Sequence, residues 1–181
     1  LLLGLLVIPK PTSAQGTKWT FMVYLDADND LEDVGIDNFL SMAKVGSSDD
    51  LKIVVQFDRA TFGDSRYGDW RTTKRYLVQK DMVPDSASAL YNMTEQNMAD
   101  PTTLSDFVKW AVATYPADHY FLDLWDHGQG WQGVAFDDDS GDILSAPELG
   151  QALADITQFA GRPLDILAND ACRMTLEIMY E

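Results

Sequence analysis

The sequence is poor in cysteine, in cations and in long apolar runs. Cys172 is the single cysteine among 181 residues. A lone thiol forms no disulfide within its own chain and builds no cysteine-based zinc site. It is either a small buried hydrophobe or a reactive group. Lysine and arginine together number 13 against 29 aspartates and glutamates, a formal charge of −16. So acidic a chain has no basic footprint for a phosphate backbone, so nucleic acid is excluded as a partner and basic partners are favoured. The apolar run Leu1–Ile8 has eight residues, too few to cross a bilayer, and no stable membrane insertion is expected. There are no internal repeats and no low-complexity segments.

What is present is enough for one globular domain, with 46% hydrophobic residues to build its core. The run Leu1–Ile8 is followed by the small residues Thr12, Ser13 and Ala14. Residues 1–14 read as the tail of a secretory signal peptide cut after Ala14, which places the product outside the cell or on its surface. Residues 15–181 then form the domain. Lys18–Asp26, Leu51–Asp58, His119–Gly128 and Leu164–Asp170 are apolar segments of strand length, suited to burial on both faces of a sheet. Arg75–Asp81 alternates like a half-exposed strand, and residues 84–100 read as a loop. Helical spacing marks Leu31–Val45 with Asp30 as N-cap, Thr103–Tyr115, and Ala146–Phe159 opened by a capping box of Ser145 and Glu148. Leu176, Met179 and Tyr180 start a further helical period where the chain stops, so the domain is expected to be incomplete at that end. This alternation predicts an α/β fold, a mostly parallel sheet with helices on both faces. Its site should lie outside the carboxyl ends of the strands.

Two of those strand ends carry reactive groups. His127 lies in WDHGQGW and Cys172 in NDACRM, 45 residues later, the length of one strand–helix–strand unit. An imidazole beside a thiol makes a base and a nucleophile, because the thiolate is the attacking species and a neighbouring imidazolium stabilises it. Cys172 is flanked by Asp170 and Arg173 rather than by core residues, and His127 is followed by the flexible Gly-Gln-Gly. His119, at the start of its strand, reads as structural. Caspases carry Gln-Ala-Cys with a histidine about 50 residues upstream; here the string is Asp-Ala-Cys. A carboxylate at Asp170 disfavours an acidic substrate residue before the scissile bond and favours Arg or Lys.

The strings WTFMVYLDADNDLE (19–32), DLWDHGQGW (123–131), DSGDILSAPELGQAL (139–153) and DILANDACRM (165–174) together resemble the clostripain family of cysteine peptidases, relatives of caspases, gingipains and legumains. The resemblance implies a caspase-like three-layer sandwich and hydrolysis of peptides or proteins after basic residues through a Cys–His dyad. It makes Cys172 the nucleophile, His127 the general base and acid, the amides of Gly128 and Cys172 the oxyanion donors, and Asp170 part of the substrate pocket. It requires no cofactor and no third catalytic residue, and Asp126, adjacent to His127 on a strand, points the other way. Relatives often mature by cutting themselves between the two residues of the dyad. Residues 128–161 contain no Lys or Arg, so a cut after a basic residue in that stretch is not expected.

Two acidic runs keep calcium open without assigning a ligand. Asp26–Asp33 opens like an EF-hand loop but has Leu31 at the glycine position and a strand before it; Asp137–Glu148 has its Gly141 one place early. A solvated acidic turn followed by a capped helix is the plainer reading of these runs. A second function therefore stands beside the peptidase: a non-catalytic acidic module, calcium-binding or adhesive, that keeps the fold. A peptidase cutting after Asn or Asp is a third.

Overall fold

Residues 16–174 are described in a computed structural model of the chain. The expected signal-peptide tail at 1–14 and the period begun by Leu176 lie outside the described residues.

The central strand is β1 (Thr17–Ala27), flanked by β2 (Leu51–Arg59) and β5 (Ala117–Trp125), both parallel to it. These are the apolar segments that read as buried on both faces. β8 (Ile166–Asp170) continues the parallel sheet beside β5. On the other side β3 (Thr73–Leu77) and β4 (Tyr91–Asn92) run antiparallel, giving the order β4-β3-β2-β1-β5-β8. Alternate residues of the strands feed two cores. Met22, Tyr24, Leu122 and Leu124 face α2 (Pro101–Thr114) and α3 (Ala146–Ala160), which contribute Phe107 and Ile156. Val23, Leu25, Val55 and Phe57 face α1 (Glu32–Val45), which contributes Ile36 and Phe39. Helices thus cover both faces, and the α/β three-layer architecture expected from the sequence is present.

Several local expectations are corrected. Asp30 does not cap α1; Leu31 occupies the cap position without a side-chain bond, and Asn29 Oδ1 accepts the Leu31 amide at 2.9 Å. The third strand lies at Thr73–Leu77 rather than at 75–81, and the supposed loop 84–100 contains β4. A short hairpin of β6 (Gly133–Asp137) and β7 (Asp142–Ser145) fills what read as an acidic turn. α2 starts earlier than its apolar period suggests, because Asp100 accepts the Thr102 amide at 2.6 Å and Pro101 fits the first turn. The capping box of Ser145 and Glu148 is formed.

Among the described residues one ion pair is wholly interior. Arg59, at the end of β2, meets Glu32, at the start of α1, at 2.6 Å, with both side chains nearly inaccessible. The guanidinium also donates to the carbonyls of Arg66 and Asp64 and lies 4.8 Å from the Trp70 ring centroid. Glu32 Oε2 accepts the Asp64 amide at 2.6 Å. A single buried pair therefore ties β2 and α1 to the 61–69 loop.

Candidate active site

Parallel pairing of β5 and β8 sets the site. Trp125 is the register partner of Asp170, so His127 and Cys172 each lie two residues beyond a matched pair. The Asp126 amide reaches the Asp170 carbonyl at 3.3 Å. Immediately beyond, Gly128 packs on the turn that holds the thiol: a Cβ built there would lie 2.4 Å from the Cys172 carbonyl oxygen and 2.7 Å from Met174 Cγ. Cys172 is a free, exposed cysteine. The next residue, Arg173, has φ +64°, a left-handed turn that L-residues seldom adopt. The close approach demands glycine at 128, so Gly128→Ala is expected to cost about 1–3 kcal/mol of stability by overpacking. Urea unfolding measures it, and an unchanged midpoint would show that the turn yields freely.

The imidazole of His127 is half-exposed, and its Nε2 lies 2.7 Å from Asp30 Oδ1. That bond holds the Asp30 carboxyl below its ordinary range. Asp30, read from the sequence as a helix cap, is therefore the side chain that touches the ring. Its partner is 97 positions away, and nothing local in the sequence signals the contact. Asp126 points away from the imidazole and accepts from Asn29 Nδ2 at 2.6 Å and from the Phe136 amide. Burial pushes Asp126 up to about 7 even though these donors pull it down. His119 lies near the other end of β5, 4.7 Å from Trp19 in a ring stack and 2.9 Å from Asp165.

Gly128 forms a bridge with Val134, but the amide that closes it is that of Gln129, donating to the Gly133 carbonyl at 3.0 Å. Asp170 is exposed at the end of β8 and borders a cavity of about 280 Å³ on the α1 face, with Val23, Leu25, Asp123 and Trp125 in its wall. Burial, helped by the charge of Asp170, lifts Asp123 to about 6. The two acidic runs do not form separate loops. Asp28 from the first and Asp137 from the second converge with Glu95, a residue without any motif, into a trio able to hold a metal ion. Glu148 is spent on the α3 cap, Asp30 on His127 and Glu32 on Arg59.

Residues 23–181 match the model of the clostripain family, Peptidase_C11. Clostripain from Hathewaya histolytica is 28% identical over 97% of this chain and 38% of its own length. The chain thus spans less than half the length of that curated relative. A secreted C11 cysteine protease from Bacteroides thetaiotaomicron, solved with an irreversible peptide inhibitor, is similar with a TM-score of 0.63 at 25% identity. The match covers 87% of this chain and 43% of that one. An inactive zymogen C11 protease from Parabacteroides distasonis shares the fold, with a TM-score of 0.58 at 20% identity over 92% and 44% of the two chains.

Proposed function

The chain belongs to the clostripain family, and from that premise we propose that it is a secreted cysteine endopeptidase cutting after Arg or Lys through Cys172 and His127. The observation that carries this reading is the β5–β8 register, which delivers a free, exposed thiol and an imidazole to the same sheet edge. With Nε2 of His127 engaged by Asp30, Nδ1 is the nitrogen left to exchange a proton with the thiol. Cys172 Sγ gives its proton to Nδ1 and attacks the peptide carbonyl carbon. The oxyanion forms beside the amides of Gly128 and Cys172, and the use of Gln129 rather than Gly128 in the β6 bridge supports a free donor there. His127 then returns the proton to the leaving amine as the tetrahedral adduct collapses to a thioester. Water, deprotonated by the same nitrogen, hydrolyses the thioester and restores the thiol.

Asp170 is the selector for the basic side chain. It stands exposed two residues before the nucleophile, and a carboxylate there pairs with a guanidinium or an ammonium. Export is supported by the apolar run and small residues before position 15 and by the description of the Bacteroides thetaiotaomicron relative as secreted. No described helix is long and apolar enough to cross a membrane. The steps above use only side chains and backbone amides; a cation on the trio Asp28, Glu95 and Asp137 would add structural support near His127, not chemistry at the thiol.

The test offers fluorogenic peptides ending in Arg, Lys, Asn, Asp or Leu to the full-length protein and to Asp170→Asn. Cleavage confined to Arg and Lys, falling about 10²-fold or more in the variant, is the expected result. Cleavage after Asn or Asp that is indifferent to Asp170→Asn would overturn the specificity, and silence on all five peptides would overturn the activity.

A further inference from the structure

The carboxylate that touches His127 comes from outside the strand pair that carries the thiol and the imidazole. Asp30 Oδ1 lies 2.7 Å from Nε2 of the ring. A carboxylate only accepts, so Nε2 carries the hydrogen and the neutral ring keeps its lone pair on Nδ1. Phe136 braces the same ring edge-on, with 6.3 Å between centroids. The mount for Asp30 is buried although Asp30 is not. Asn29 is 3% exposed. Its side-chain carbonyl accepts the Leu31 amide at 2.9 Å, closing a turn with Asp30 at its centre. Its side-chain amide donates to Asp126 Oδ1 at 2.6 Å and to the Phe136 carbonyl at 3.2 Å. Asp126 directly precedes His127 and also accepts the Phe136 amide. One buried side chain therefore joins the residue before the carboxylate, the residue before the imidazole and the residue that braces the ring. Supports of this kind hold a reacting group to within fractions of an ångström.

We propose that Asp30 is a positioning residue of the reaction, anchored by Asn29 and fixing the His127 ring so that Nδ1 faces the thiol. The role rests on the peptidase reading above, and it adds a third member where the family resemblance calls for none. The contribution is orientation more than charge. A buried aspartate in this role is worth about 10⁴-fold. The Asp30 side chain is 80% exposed, so water screens its attraction for an imidazolium. What remains is alignment, and a base misplaced by about 1 Å costs about 10²-fold.

Steady-state kinetics on an arginyl peptide and alkylation of Cys172 by iodoacetamide, both in the full-length protein, test the role. Asp30→Ala should lower kcat about 10–100-fold with KM within about twofold of the parent. Alkylation of its thiol should slow about tenfold. Asp30→Asn, whose side-chain oxygen still accepts from Nε2, should recover kcat to within about fivefold of the parent. Asp33→Asn, an exposed acid on the same loop, should change neither constant. Both positions are exposed, so all three variants should fold, as circular dichroism checks. A raised KM at unchanged kcat in Asp30→Ala would make Asp30 a substrate contact and overturn the proposal. So would a kcat at or above the parent's in Asp30→Ala, an Asp30→Asn as slow as Asp30→Ala, or an equal loss in Asp33→Asn. Alkylation needs no substrate. If the parent cuts no peptide, the peptidase reading falls, and the alkylation rates still decide the geometry: slower in Asp30→Ala upholds the positioning of the pair, and equal rates overturn it.

Discussion

Cys172→Ala is expected to lower kcat/KM on an arginyl peptide by at least about 10⁴-fold, to the background of uncatalysed hydrolysis. The thiol is the single cysteine sulfur in the chain, so the variant has no second thiol to take its place. Because Cys172 is exposed and makes no core contact, the variant should melt within about 1 °C of the parent, and the loss is then chemical rather than structural. His127→Ala should cost nearly as much, and the double variant little more than either alone, because two residues that act in one step are not additive. Single-turnover kinetics with active-site titration measure all three. Retained hydrolysis in Cys172→Ala would show that the thiol is not the nucleophile.

Glu32→Ala is expected to destabilise the protein by about 3–5 kcal/mol, read as a lowered urea midpoint. The reason is the position of Arg59. Its guanidinium is fully enclosed, and Glu32 is its charged partner at 2.6 Å. Removing the carboxylate leaves a buried cation with only two carbonyls and an aromatic face to replace it. It also frees the Asp64 amide, so the 61–69 loop should loosen and become sensitive to limited proteolysis. The double variant Glu32→Ala with Arg59→Met, which removes both charges, should recover much of the loss. If the single variant unfolds at the parent's midpoint, the pair contributes nothing net.

The sequence made the scaffold legible where burial is continuous. WTFMVYLD and LKIVVQFD are strands because both of their faces are covered, and the strand ends that should carry chemistry are the ends that do meet. Shorter elements escaped. The β6–β7 hairpin has strands of five and four residues with an irregular register near Ala135, whose φ is +59°; a bulge breaks the period of two that identifies a strand. β4 is two residues long and has no period at all. The carboxylates escaped for another reason. Asp30 fits a cap by local spacing, but its hydrogen bond goes to a histidine brought alongside by the β1–β5 pairing. Glu95 sits in a loop with no pattern. It becomes notable only when β1 and β6 place Asp28 and Asp137 next to it. Periodicity reports what lies one or two turns away, and convergence across a hundred residues leaves no trace in it.

Strand order also sets a sequence of assembly. The pairing of β5 with β8 closes Phe121 on Ile166, 45 residues, while that of β1 with β5 closes Trp19 on His119, 100 residues. The longer closure costs more chain entropy, by about 0.7 kcal/mol for this ratio of lengths. Non-local pairings are the slow events of folding. The thiol and the imidazole therefore meet within a local strand–helix–strand unit, while Asp30 and Asp28 arrive with the other half of the sheet. On refolding of the complete chain, loop length thus favours bringing nucleophile and base together before Asp30 docks, whereas on a ribosome β1 and β5 are both made before Cys172 and can pair first.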